Sequence, residues 1–250
     1  MTSLVLAVIP ARYGAERLPG KPLLRETGMT LIEHCWRRVR AARRVDAVLV
    51  ATDDPRIAEA GHAFGAEVAM TSPTCRSGTD RVAEAVAGRA GPAPGLVLNV
   101  QGDEPELDPG ALDRLVDRME RGDEPMGTLA CPVRDAAAVQ DPNRVKVVAD
   151  RRGRALYFSR SPLPFRRDPA AVAPVLLHIG VYAFRPAFLA SFARLSSTPL
   201  EAAEKLEQLR ALEHGHPVAV EVVETEPWAG IDTRADYEAF CRRWKEAGAP

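Results

Sequence analysis

Leu4-Val5-Leu6-Ala7-Val8-Ile9, followed at once by Pro10-Ala11-Arg12-Tyr13-Gly14, is the stretch on which the fold turns. A membrane span takes about 20 apolar residues, and a signal sequence has about 7–15 behind a basic start. This run is too short for either, so a cytoplasmic protein is expected. Half of its residues are β-branched, and it reads as a strand buried on both faces. Similar runs at 47–52, 67–71 and 96–100 alternate with helical patterns near 30–44, 55–64, 79–90 and 109–121. Buried strands spaced by helices predict an α/β fold with a mostly parallel sheet flanked by helices. In such sheets ligands bind beyond the carboxyl ends of the strands. Polar motifs directly after each strand are therefore where chemistry is sought.

Outward from that half the pattern loosens. Strands are expected at 127–133, 144–150, 155–159, 178–184 and 218–224, and helices at 199–214 and 233–247. Residues 160–174 hold four prolines and read as a loop. The expected division is a core of 1–133 plus 216–250 and a smaller mixed α/β lobe of 134–215. The 250 residues suit one large domain, or a domain with a lobe. Net charge is −1 and aromatic content 6%, which argues against a surface built to grip a nucleic acid polymer or an anionic membrane. Cys35, Cys75, Cys131 and Cys241 show no metal-binding spacing and read as reduced thiols.

The neutral total hides a local excess: residues 1–44 carry nine Lys and Arg against three Asp and Glu. Arg37, Arg38, Arg40, Arg43 and Arg44 belong to a helical pattern and read as a solvated face. Arg12, Arg17 and Lys21 lie instead in a loop shaped by Gly14, Gly20 and two prolines. Guanidinium forks and an ammonium converging on one loop suit a triphosphate. A P-loop is excluded, because five residues separate Gly14 from Gly20 and Pro22 follows Lys21 where a hydroxyl residue belongs. Cys75-Arg76-Ser77-Gly78-Thr79-Asp80-Arg81 opens the next-but-one helix. Ser77 with Asp80 reads either as a helix cap or as a turn whose free N–H groups meet a base or phosphate. Asn99-Val100-Gln101-Gly102-Asp103-Glu104-Pro105 puts a carboxylate straight after a strand, suited to a hard cation such as Mg²⁺. Asp232, in Gly230-Ile231-Asp232-Thr233, is the candidate second carboxylate, with helix capping as the alternative.

Taken together, the motifs resemble those of the 3-deoxy-manno-octulosonate (Kdo) cytidylyltransferase family, the CMP-Kdo synthetases. The matching stretches are Ile9–Tyr13, Arg17–Pro22, 51–53, 77–81 and 99–105, then 145–148, 155–160, 178–182, 206–210 and 231–233, in order along nearly the whole chain. The resemblance implies a Rossmann-like nucleotidyltransferase core and a reaction, CTP + Kdo → CMP-Kdo + pyrophosphate, serving lipopolysaccharide biosynthesis. It implies that Ala11, Arg12, Arg17, Lys21, Ser77, Gly78 and Gln101 bind the nucleotide. Asp103 and Asp232 would hold Mg²⁺, with Lys21, Asp103 and Asp232 the catalytic set. Gln101, Arg160, His178, Tyr182, Glu207 and Gln208 would bind the sugar, the cation Arg160 suiting its carboxylate. A homodimer formed through the smaller lobe is also implied.

The sequence departs from that pattern at Cys75, where the family commonly carries His, and in a shorter stretch between Pro164 and Val175. Neither change removes a charged group of the expected site. Cytidylyltransferases for related acidic sugars, such as 8-amino-Kdo or a sialic-acid-like substrate, would keep the CTP loop and alter the lobe. A silent nucleotide-binding module would have lost Lys21 or a carboxylate, and both are retained. Hexose-phosphate nucleotidyltransferases carry a Gly-x-Gly-Thr-Arg loop that is absent here.

Overall fold

The computed structural model describes residues 3–14, 17–133, 135–168, 170, 173–224 and 230–248. Ala15 and Glu16 of the basic loop, the expected boundary at Arg134, and Pro169, Ala171 and Val172 of the proline-rich stretch lie outside the described residues. The chain divides into two compact units, Met1–Asp113 with Pro227–Pro250, and Arg114–Glu226.

In the first unit β1 (Val5–Ala11) is buried along its whole length, as its unbroken apolar sequence requires. It pairs in parallel with β2 (Ala47–Thr52) on one side and β4 (Leu96–Asn99) on the other, while β3 (Glu67–Met70) flanks β2. The crossovers are α1 (Leu31–Arg40), α2 (Pro55–Ala63) and α3 (Gly78–Gly88). Each begins where a cap residue accepts a backbone N–H: Thr30 from Glu33, Asp54 from Arg56, and Ser77 from Asp80. The strand order β3-β2-β1-β4 reverses direction between β1 and β4. A crevice therefore opens at the carboxyl ends of those two strands, because the flanking crossovers leave on opposite sides.

The basic helix stops at Arg40, short of the expected 44. Beyond it Asp113 draws in the chain, accepting from Arg44 N at 2.8 Å and from Arg43 Nε at 3.3 Å. α4 (Pro109–Arg121) starts in this unit, and the carboxyl-terminal α9 (Arg234–Glu246) belongs to it. α9 starts with a reciprocal capping box between Thr233 and Asp236, then buries Tyr237 and Phe240 against Leu31 and Ile231. Burying side chains of this size stabilises by about 1.5–3 kcal/mol each. That packing fixes the turn carrying Asp232.

The second unit is a mixed sheet. β5 (Met126–Pro132) lies between β8 (Leu176–Phe184), antiparallel, and β9 (Val218–Val222), parallel, with a bulge between Thr128 and Leu129. β6 (Lys146–Ala149) pairs antiparallel with both β7 (Ala155–Ser159) and β8. The unit thus extends beyond the expected 134–215, because β5 and β9 are hydrogen-bonded to each other and β5 to β8. Short helices α5 (Ala136–Gln140) and α6 (Pro186–Phe192) lie outside the expected elements.

The single helix expected at 199–214 is two, α7 (Pro199–Glu204) and α8 (Gln208–Glu213). Lys205 between them adopts φ 54°, among the described residues the only non-glycine at positive φ. An unbroken helix would give the Glu204 carbonyl to Gln208 N–H. Here that carbonyl accepts instead from Arg160 Nε at 2.7 Å, so a tertiary contact takes the bond that propagation needs.

Candidate active site

The crevice of the first unit holds a cavity of about 390 Å³. Ala11, Arg12, Arg17, Lys21, Ser77, Gly78, Gln101, Asp103 and Asp232, the expected nucleotide, metal and catalytic positions, all line it. Three connections and one from the far end of the chain build its walls.

After β1, the chain turns at Gly20, whose φ of 69° and whose closeness to the Tyr13 ring leave no room for a side chain. Gly20 N donates to Tyr13 O at 2.9 Å, closing the loop and launching a short 3₁₀ turn at Lys21–Leu23. Lys21 is thereby directed inward, its side chain only 12% exposed. Arg12 remains exposed, and the Arg56 guanidinium stacks over Tyr13 at 3.4 Å.

After β4, Gly102 lets the backbone pass close to β1, because a Cβ there would stand 3.0 Å from Pro10 O. Asp103 follows, and its carbonyl accepts from Ile231 N at 2.9 Å. This one backbone bond brings the 230–233 turn to the cavity. Lys21 Nζ then meets Asp103 Oδ2 at 2.8 Å, Ile231 O at 2.7 Å and Asp232 Oδ1 at 3.4 Å. Arg17 reaches the other oxygen of Asp232 at 2.8 Å.

Asp232 is therefore not the helix cap; Thr233 has that role. Neighbouring Glu104 has its carboxyl pushed up to about 8 by burial and by the adjacent Asp103 and Asp232. It is mostly protonated at neutral pH and adds little further negative charge. Among the described residues no cluster of three or more His, Cys, Asp or Glu is suited to a metal. Two carboxylates and a carbonyl, all hard oxygen donors, are what the site offers, and they already share one cation.

The third wall is the start of α3. Ser77 does cap this helix, so the capping reading of the motif holds, while Gly78 lies against the Gln101 amide, where a Cβ would stand 3.5 Å from Oε1. Gln101 Nε2 donates to Asn99 Oδ1 at 3.1 Å, and Asn99 Nδ2 to Thr79 Oγ1 at 3.2 Å, locking β4 to the helix start. Arg81 also lines the cavity, and sequence reading assigned it no role. It is nearly buried, held by Asp53 at 2.9 Å and Thr71 at 2.5 Å. The signal was its place one turn into a helix that opens on a strand's end. Cys75, at the departure from the family pattern, donates to Glu84 Oε2 at 3.2 Å. Burial and Glu84 push its thiol up to about 11, so it serves as a donor and not a nucleophile.

The expected sugar positions other than Gln101 all fall in the second unit, where most contact one another. Tyr182 donates its hydroxyl to Gln208 Oε1 at 3.0 Å. Gln208 is buried, and its Nε2 has no partner among the described residues. His178 shares Thr128 Oγ1 at 2.9 Å and packs against Phe158 and Tyr182. Burial pushes its imidazole down to about 3, so it is neutral at physiological pH. Glu207 precedes α8 and faces Arg210 at 3.5 Å. Arg160 donates to Glu204 O and, at 2.9 Å, to Pro142 O.

The model of a family described as cytidylyltransferase matches residues 6–222. A 3-deoxy-manno-octulosonate cytidylyltransferase of Anaeromyxobacter is 51% identical over 234 residues, 94% of each chain. One of Myxococcus xanthus is 48% identical over 93% of each. The solved structure of a CMP:2-keto-3-deoxy-manno-octonic acid synthetase complexed with CTP is 39% identical, with a TM-score of 0.92, and the match covers 98% of this chain and 100% of that one. With a parallel sheet that reverses at a cavity of arginines, a lysine and two carboxylates, these likenesses run the length of the chain, which belongs to the cytidylyltransferase family and, within it, to the 3-deoxy-manno-octulosonate cytidylyltransferases.

Proposed function

We propose that the protein transfers CMP from CTP to the anomeric hydroxyl of Kdo, releasing pyrophosphate and supplying CMP-Kdo for lipopolysaccharide biosynthesis. The observation that carries this reading is the convergence of Lys21 on Asp103 and Asp232 at the β1–β4 crevice, in a chain about half identical to curated enzymes of that name. The sugar hydroxyl attacks the α-phosphorus in line. A new oxygen–phosphorus bond forms as the bond to the β-phosphate breaks, and the hydroxyl proton is lost. Catalysis of this kind rests on positioning and on stabilising charge at phosphate oxygens.

Arg12 and Arg17 hold the triphosphate, Lys21 stands beside the charge developing on the leaving pyrophosphate, and Ala11, Ser77, Gly78 and Gln101 line the nucleotide. The hard-oxygen donor set of Asp103 and Asp232 fits Mg²⁺, which uses one or two carboxylates alongside phosphate oxygens and water. Such an ion, when bound, screens phosphate charge and acidifies the attacking hydroxyl. Arg160 pairs with the sugar carboxylate. Gln208 Nε2, buried and without a partner among the described residues, is a donor available to a sugar hydroxyl, and Tyr182 holds its amide in that orientation. His178, which is neutral, and Glu207 add polar partners, and Gln101 is assigned to the sugar as well as to the nucleotide.

A cytoplasmic homodimer is part of the same reading. It is supported by four cysteines held as thiols, by the absence of any helix among the described residues able to cross a membrane, and by apolar exposure in the second unit. Purified protein incubated with CTP and Mg²⁺ should release pyrophosphate only when Kdo is added. Equal release with UTP or ATP would overturn the base assignment, and preference for another acidic sugar would overturn the acceptor.

A further inference from the structure

Lys146 is a charge set where a strand residue is ordinarily apolar. It stands between Val145 and Val147, is 0% exposed, and ranks among the largest side chains wholly inside the protein. A buried ammonium is costly unless its donors are used. Among the described residues no carboxylate pairs with it. Its Nζ donates to two backbone carbonyls, Asp141 O at 2.9 Å and Arg160 O at 2.6 Å. Loss of hydration holds the ammonium below the ordinary lysine value.

Those two carbonyls lie on the segments that bracket the Arg160 guanidinium. Arg160 Nη1 donates to Pro142 O at 2.9 Å, one residue beyond Asp141, and Nε to Glu204 O at 2.7 Å. Glu204 closes the bracket, its carboxylate accepting from Ser159 Oγ at 2.6 Å and Arg160 N at 2.9 Å. Lys146 and Arg160 against Glu204 leave one net positive charge. Arg160 Nη2 has no partner among the described residues, and two of its other donors are fixed.

We propose that Lys146 is a positioning residue for the acidic sugar, pinning residues 141 and 160 so that Arg160 presents its remaining N–H groups to the substrate carboxylate. This rests on the assignment of Arg160 to the sugar site. A lysine that only filled space would be replaced by methionine without a selective effect on sugar affinity.

The test measures steady-state kinetics for both substrates, with CTP binding by calorimetry as a check on folding, in Lys146→Met, Arg160→Ala and the double variant. Lys146→Met should raise KM for the sugar about tenfold, with KM for CTP and kcat within about twofold. The double variant should be no worse than Arg160→Ala alone, because residues acting through one another are non-additive. An unchanged sugar KM in Lys146→Met beside a raised one in Arg160→Ala overturns the proposal alone, as do additive losses or an equal rise in KM for CTP. An unchanged sugar KM in Arg160→Ala overturns the sugar-site assignment and the proposal with it. If Lys146→Met does not fold, Glu204→Gln loosens the same bracket and must give the same split between substrates, or the proposal fails.

Discussion

Lys21 touches two carboxylates and a carbonyl at once, and the arrangement balances charge before any substrate arrives. Its ammonium offsets Asp103, Arg17 offsets Asp232, and Glu104 is largely neutral through its raised carboxyl pKa. Under the proposed function, a triphosphate entering the cavity would give these cations more highly charged oxygens and release the two acids. Asp103→Asn and Asp232→Asn keep shape while removing charge, so each should lower kcat by roughly 10²–10³, the scale of one preorganised electrostatic contact. Pyrophosphate release measured at saturating CTP and sugar decides this, and near-normal turnover removes that residue from the machinery. A different residue governs acid stability. Glu124 is 3% exposed, and hydrogen bonds from Arg118 and then Arg154 hold its carboxyl down to about 2. A lowered carboxyl pKa stabilises above the ordinary value of 4.5, and that stability is lost as pH falls from there through about 2. Glu124→Gln should therefore cost most at neutral pH, with a ceiling of about 3 kcal/mol, and progressively less toward pH 2. Denaturant unfolding at pH 7 and pH 3 measures the difference, and a constant deficit at both would contradict the linkage.

At the scale of elements, the legible parts of the sequence were those whose forces are local. A short, β-branched apolar run bounded by turn residues reads as a strand covered on both faces, so β1, β2 and β4 lay in the sequence, and with them the crevice where Lys21 and Asp103 meet. Ser77 capping α3 was equally local, since the cap and the Asp80 N–H that donates to it lie three residues apart. Asp232 had two readings because its partner is Asp103, brought near by a single backbone bond from Ile231. The break between α7 and α8 was not legible at all. Leu206, Leu209 and Leu212 keep helical spacing across it, and only Arg160, far back in the chain, takes the carbonyl that would have continued the helix. Lys146 was hidden for the complementary reason: a lone lysine among valines gives no local sign of which carbonyls it will reach. The break itself makes a prediction. Lys205 is exposed in the left-handed region, where an L side chain is strained and glycine is not. Lys205→Gly should raise stability by about 0.5–1 kcal/mol with turnover unchanged. A lower melting temperature would mean that the Lys205 side chain contributes more than its backbone strain costs.

For the molecule as a whole, the net charge of −1 conceals opposed local charges: cations in the loop after β1, carboxylates after β4 and before α9. The surface of the second unit carries a different imbalance, apolar and not electrostatic. Among the described residues β7 pairs with no strand other than β6. On it Leu156 is 63% exposed, and Phe165 and Leu200 of the same unit are 87% and 41% exposed. Large apolar side chains left exposed are an association hazard that soluble proteins cover or blunt with charge. A second copy of the chain, using the same patches in return, would cover them by two-fold symmetry. We therefore expect sedimentation at micromolar concentration to give a dimer. Leu156→Lys should shift it toward monomer, placing a cation where an apolar contact is needed, while leaving CTP binding in the first unit intact. A wild-type monomer would exclude the homodimer, and a dimer indifferent to Leu156→Lys would move its interface away from β7.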